Sequence, residues 1–198
     1  MGKSLEARVA ELEKKVKELT GEKQVRFSKK LRVGDTFELF GLEWKILEIT
    51  GDGYKCLASR LEDGMQFDTS CNNWTSSDLR NYLNTEFYKE LAEAVGEENI
   101  IPFERNLLSL DGQTEYGTCE DKVSIISVDE YQEHRALIPN ADYWWWTLTP
   151  WSTPCNDIER SVTVVSASGF IDYGDFDCSI GVRPVCIFSS AIFESEEE

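Results

Sequence analysis

The sequence predicts an α+β fold: short strands with two or more helices over residues 31–193, behind an N-terminal coiled-coil helix. Three observations lead there. Leu5, Val9, Leu12, Val16 and Leu19 repeat at alternating spacings of four and three, the a/d seam of a heptad. Strand-like apolar runs between 36 and 60 are followed by a stretch of helical period from 79 to 95, where the periodicity changes from about 2 to about 3.6. The last third then turns to Trp, Gly, Ser, Thr and Asp with short apolar alternations and no helical period.

In chain order, residues 1–22 carry the heptad seam with Val at a and Leu at d, flanked by Glu6, Arg8, Glu13 and Lys15 at e and g. Arg8 faces Glu13 of a parallel neighbour, and Gly21 ends the helix. A stripe this narrow suits a partner helix better than a core, so self-association through residues 4–20, as a dimer or trimer, is expected. Residues 23–30 form a basic connector. Thr36–Phe40, Glu43–Thr50 and Tyr54–Arg60 read as strands, the last two joined by a Gly51-Asp52-Gly53 turn. Ser76 or Ser77 can cap the next helix, with Asp78 favourably near its N-terminus; Leu79, Tyr82, Leu83, Phe87, Leu91, Ala94 and Val95 carry its apolar side to Gly96. A second helix is predicted at Val128–Arg135, and strands at Arg160–Val165 and Val182–Phe188. Phe170–Ile180 reads as an exposed loop or distorted hairpin, and residues 194–198 as a solvated acidic tail.

The net charge is −17, unevenly spread. Residues 1–32 hold 10 of the 20 Lys and Arg but 5 of the 37 Asp and Glu, leaving 10 basic against 32 acidic residues beyond them. Such a domain repels phosphate backbones and anionic lipid, so neither nucleic acid nor membrane insertion is expected. The N-terminus has no apolar segment of the secretory type. A cytoplasmic or virion-associated protein is expected, displayed at a surface only through partners.

No cofactor or metal is expected. The six cysteines form no CxxC pair and His134 is the single histidine, whereas zinc sites use closely spaced ligands. Asp172, Asp175 and Asp177 are oxygen-rich, but the D-x-[DN]-x-[DN]-G calcium pattern is absent. No nucleophile–base motif or phosphate loop is present.

Three blocks carry a resemblance. Asn73-Trp74-Thr75-Ser76-Ser77-Asp78-Leu79-Arg80-Asn81-Tyr82-Leu83-Asn84, Trp145-Trp146-Thr147-Leu148-Thr149-Pro150-Trp151-Ser152-Thr153-Pro154 and Gly181-Val182-Arg183-Pro184-Val185 stand in this order. They resemble the signature of a bacterial and phage family whose ending is similar to the C-type-lectin-like fold of formylglycine-generating enzymes. Tyr82 stands where many relatives carry Trp, and Thr147-Leu148 replaces the commoner Leu-Arg. The resemblance implies a variable ligand-binding protein, in several members diversified by a retroelement through adenine-directed mutagenesis between the second and third blocks. Randomising the adenines of AAC or AAT codons cannot produce Lys, Glu, Gln, Met or Trp, and none of these occurs from Arg160 to Phe193.

The expected function is therefore non-enzymatic recognition of a protein or glycan. Rival readings are a cysteine enzyme of the formylglycine-generating type, using Cys155 or Cys178, and a structural virion or scaffold component. The expected face joins two segments: Trp151, Ser152, Thr153, Asn156, Asp157, Ile158, Arg160, Ser161 and Thr163 in the first; Phe170, Asp172, Tyr173, Asp175, Phe176, Asp177 and Ser179 in the second. Aromatics on a rigid face are recognition anchors, and dense aspartates do not suit a core strand. Of Trp145 and Trp146, one is expected in the core and the other nearer the surface. Arg183 is expected in a structural ion pair.

Overall fold

The computed structural model describes residues 31–51, 53–61 and 64–193. The expected coiled-coil helix, basic connector and acidic tail lie outside the described residues. Strands β1 (Thr36–Leu39), β2 (Leu42–Ile49) and β3 (Gly53–Ala58) form a meander. Phe40 and Gly41 join β1 to β2 with φ of 54° and 69°, the left-handed pair that a two-residue hairpin turn of matching twist requires. Helix α1 (Asp78–Tyr82) runs through a π-helical turn at Leu83–Phe87 into α2 (Tyr88–Val95). There follow β4 (Ile100–Ile101), β5 (Phe103–Asn106), β6 (Thr118–Asp121), β7 (Ser124–Ile125), α3 (Val128–Glu133), β8 (Trp145–Pro150), β9 (Ser161–Val165), β10 (Ile171–Asp175) and β11 (Pro184–Ser189).

This overturns the α+β, C-type-lectin-like expectation. Among the described residues the chain is mostly β, with three antiparallel sheets: β1-β2-β3-β11-β4 with β7 also on β11, then β10-β9-β8, then β5-β6. The α1–α2 path is the one substantial helical element among the described residues. The second expected helix shrinks to the six residues of α3. A capping box between Ser127 and Glu130 starts α3, but beyond His134 the chain continues as turns.

Two apolar clusters sandwich the large sheet. Trp44, Ile46, Cys56, Cys186 and Phe188 point into the larger one, while Leu47, Leu57 and Val185 point into the smaller. Consecutive Ile46 and Leu47 are both buried because they point to opposite faces of a sheet covered on both sides; the strand bulges between Ile46 and Glu48. Trp145 and Trp146 obey strand alternation, but both are core: Trp146 enters the larger cluster and Trp145 the smaller. The expectation that one lies nearer the surface fails because β8 is covered on both faces.

The first sequence block is a structural clamp. Ser77 accepts from the Arg80 N–H as N-cap. Trp74 Nε1 donates to buried Asp121 at 2.8 Å, and Arg80 Nε meets the same carboxylate at 2.6 Å. Asn84 accepts from the Lys122 and Val123 N–H groups and donates to the Val123 carbonyl. The helix is thereby fastened to the end of β6. Arg183, in the third block, has no ion pair among the described residues; its Nε donates to the Ala58 carbonyl at 3.0 Å and its guanidinium lies 5.0 Å from the Trp145 ring centre.

Candidate recognition face

The small sheet β10-β9-β8 has one side on the core. Trp146, Val162 and Val164 are in the larger cluster, and a Cβ added at Gly174 would meet the Trp146 ring at 3.4 Å. The other side is divided. At one end Trp145, Val165 and Ile171 are covered by Tyr131 of α3. At the other end Tyr173, opposite Thr163, is 53 % exposed and packs against Trp151 in a tilted ring pair with centres 5.1 Å apart. Thr147 and Thr163 lie buried between the two ends, joined by a hydroxyl–hydroxyl contact, and the Thr163 hydroxyl also donates to the Thr149 carbonyl at 2.7 Å.

The loop from Ser152 to Ser161 stands on fixed ends. The buried Asn72 amide donates to the carbonyls of Ser152 and Ser161 at 2.9 and 2.8 Å, while the Tyr116 hydroxyl donates to its oxygen at 2.7 Å. Burial pushes the Tyr116 hydroxyl up to about 12. Asp111 gathers donors from Ser109, Ser152 and Asn156, and these bonds, from Ser109 first, hold its carboxyl below the ordinary carboxylate value. Arg160 reaches Asp177 at 3.0 Å and Asp175 at 3.4 Å and lies over the Phe176 ring. Its guanidinium is therefore held protonated more firmly, chiefly by Asp177.

At the far end of the sheet the β9–β10 turn displays Phe170, 72 % exposed. Its frame is rigid. The Tyr131 hydroxyl donates to the Gly169 carbonyl at 2.9 Å and Asn140 donates to the Ser168 carbonyl at 2.9 Å. Gly169 has φ +84°, which favours glycine, and a Cβ there would push aside the Asn140 and Arg135 side-chain ends.

The expected site residues divide by exposure. Asn156, Asp157, Ile158, Arg160, Phe170, Tyr173, Asp177 and Ser179 are exposed, and Trp151, Ser161, Asp172 and Asp175 are half-buried. Four are corrected to interior positions. Ser152, Thr153 and Thr163 are buried polar residues, and Phe176 belongs to the main core. Phe176 turns inward because its backbone is fixed on both sides, its N–H donating to the Arg160 carbonyl and its carbonyl accepting from Phe67 and Asp68. One participant was missed in the sequence: Leu110, 40 % exposed, whose N–H donates to the Pro150 carbonyl beside Trp151. The Asp111-Gly112 turn next to it, with Gly112 at φ +88°, is the signal that could have marked that loop.

Among the described residues no three His, Cys, Asp or Glu side chains converge to hold a metal ion. Cys155 is exposed, and its thiol donates to Glu115 at 3.1 Å. That bond keeps the proton on sulfur, pushing the thiol above its ordinary value. His134, nearly buried, closes the end of α3.

A family model described as a domain of unknown function (DUF6273) matches residues 57–190. The chain belongs to the DUF6273 family. The matched stretch begins in β3 and ends just past β11, so it holds the clamp, the small sheet and the whole of the candidate face. β1 and β2 lie outside the DUF6273 match yet complete its large sheet. No curated protein and no solved structure matches the chain. No helix among the described residues is long and apolar enough to cross a membrane.

Proposed function

We propose that this chain is a non-enzymatic binding protein whose recognition face is the outer edge of the small sheet with the loop at residues 152–160. The observation that carries this reading is the tilted Trp151–Tyr173 ring pair, partly open to solvent beside a loop tied down at both ends by Asn72. Large aromatic area on a pre-ordered frame lowers the ordering cost of association. Arg160 offsets part of the charge of Asp175 and Asp177, so the face offers aromatic surface beside acidic groups, suited to a protein or glycan ligand. Self-association through residues 4–20 would join several faces and raise avidity without new contacts. A nucleophilic cysteine needs a lowered pKa; the Glu115 contact at Cys155 has the opposite effect, which favours binding over cysteine catalysis.

The finer form of the proposal is that a retroelement, in a phage or prophage setting, rewrites this face. Core substitutions commonly cost ~2–5 kcal/mol. Rewriting is therefore tolerable at exposed positions such as Asn156, Ile158, Phe170 and Tyr173, and not at Thr163 or Phe176. Sequencing the gene in sibling isolates should show changes concentrated at the exposed positions; an even spread over core and surface would refute diversification.

Binding itself is tested with the full chain on arrays of glycans and displayed proteins, against Tyr173→Ser and Phe170→Ser variants. We expect a bound ligand to be lost at least tenfold in one or both variants. Their melting temperatures should stay within about 2 °C, since surface changes are usually within ±0.5 kcal/mol. Ligands that bind both variants as tightly as the parent would remove this face from the function.

A further inference from the structure

We infer that the cavity where β2 and β3 meet the loop at residues 139–143 binds a small zwitterion: one carboxylate on Arg183 and one ammonium between Glu43 and Asp142, as in a free amino acid. The cavity measures about 360 Å³, within the range of small-molecule sites. It shares none of the exposed recognition residues, although Asn140 in its lining also braces the β9–β10 turn beneath Phe170.

Arg183 is 8 % exposed, and among the described residues its one side-chain hydrogen bond is from Nε to the Ala58 carbonyl. Neither Nη finds an acceptor among the described residues, yet neither is among the sealed, unsatisfied atoms. Both therefore open onto the cavity that Arg183 lines. Burial lowers the guanidinium's pKa and outweighs the opposing pull of Tyr143, Glu43 and Tyr131 nearby, none of which makes a direct hydrogen bond to the fork. A guanidinium fork matches a carboxylate in two parallel hydrogen bonds, and the Trp145 ring behind it fixes its plane.

The cavity walls decide what the rest of the ligand carries. Glu43 and Asp142 both line the space, are exposed at its rim, and have no ion-pair partner among the described residues. Lys45, the other cation of the lining, has its ammonium on the Gly34 carbonyl at 3.2 Å. A ligand with two or more negative charges would meet the Glu43 and Asp142 carboxylates and a chain of net charge −17. A single carboxylate joined to an ammonium instead satisfies the fork and the rim together. Leu57 and Ala141 supply apolar wall for a side chain.

Titration calorimetry of the full chain against the free L-amino acids tests this. Each binder is compared with its amide, which lacks the carboxylate, and with its deaminated acid, which lacks the ammonium. We expect at least one amino acid to bind, with affinity at least tenfold weaker for both analogues. Arg183→Met should abolish binding. The double variant Glu43→Gln, Asp142→Asn changes rim residues alone, so it remains informative even if Arg183→Met does not fold. It should weaken the amino acid tenfold and leave the deaminated acid unchanged. Binding by none of the amino acids, tighter binding of inorganic phosphate, or full affinity in the rim double variant would each overturn the assignment.

Discussion

Arg105 and Arg183 are 3 % and 8 % exposed, yet one closes a network inside the fold and the other opens onto a cavity. Arg105 meets Glu130 with both Nη atoms, at 2.7 and 2.5 Å, and donates again to the Ile125 carbonyl. Glu130 is further held by Lys55 at 3.0 Å and by the Ser127 N–H at 2.8 Å. Almost every polar atom there has a partner, Arg105 Nε being the exception. Arg183 lies over the Trp145 ring and is anchored through Nε, but its fork has no acceptor among the described residues. A buried cation that the fold satisfies holds elements together; one that it leaves partly unsatisfied is available to something else.

The contrast gives two stability predictions, the larger first. Glu130→Ala should cost ~3–5 kcal/mol in denaturant unfolding, because it strands Arg105 inside the protein and also removes the capping box of α3. The pH dependence has a definite sign. Burial works to raise the Glu130 carboxyl, but the Arg105 hydrogen bonds and charge outweigh it and hold the group well below the ordinary carboxylate value. Its contribution is therefore complete above the unfolded carboxyl value of ~4.3 and is lost as pH falls through the lower folded value. Glu130→Gln should accordingly show a shallower loss of stability in acid than the parent. A Glu130→Ala cost below ~1 kcal/mol would mean that the network is ornamental.

Arg183→Met should cost less, ~1–3 kcal/mol, for one charge-assisted hydrogen bond to a carbonyl and one ring contact. Its apolar stem keeps the packing that the arginine stem provides. Equal costs for the two substitutions in the same unfolding assay would erase the distinction and make Arg183 a second structural pillar.

The sequence allowed the local elements to be read more fully than their surroundings. Alternation marked β2 and β3, and Ser77 with Asp78 marked the start of α1, because these signals are local. The double covering of β8 was illegible. Alternation reports that Trp145 and Trp146 point opposite ways, but not that an apolar cluster waits on each side of β8. Phe176 was misread for a related reason. The aspartates around it suggested an exposed strand, whereas backbone bonds to Phe67 and Arg160 turn that one ring inward. Val128–Arg135 carried a sound helix start, yet its length depended on the chain being needed elsewhere. The tethering of the 152–160 loop by Asn72 spans about 80 to 90 positions of chain, and no local pattern encodes a partner so distant.

That tether has a further consequence. Because one amide grips the carbonyls of both Ser152 and Ser161, the span between those feet does not depend on what the chain does in between. The segment behaves as a cassette in a socket. Doubling the length of a flexible loop whose ends are already held together adds only ~0.6 kcal/mol of closure entropy. Evolution or an engineer can therefore exchange not only the side chains of this segment but its length, while the sheet on either side keeps its register.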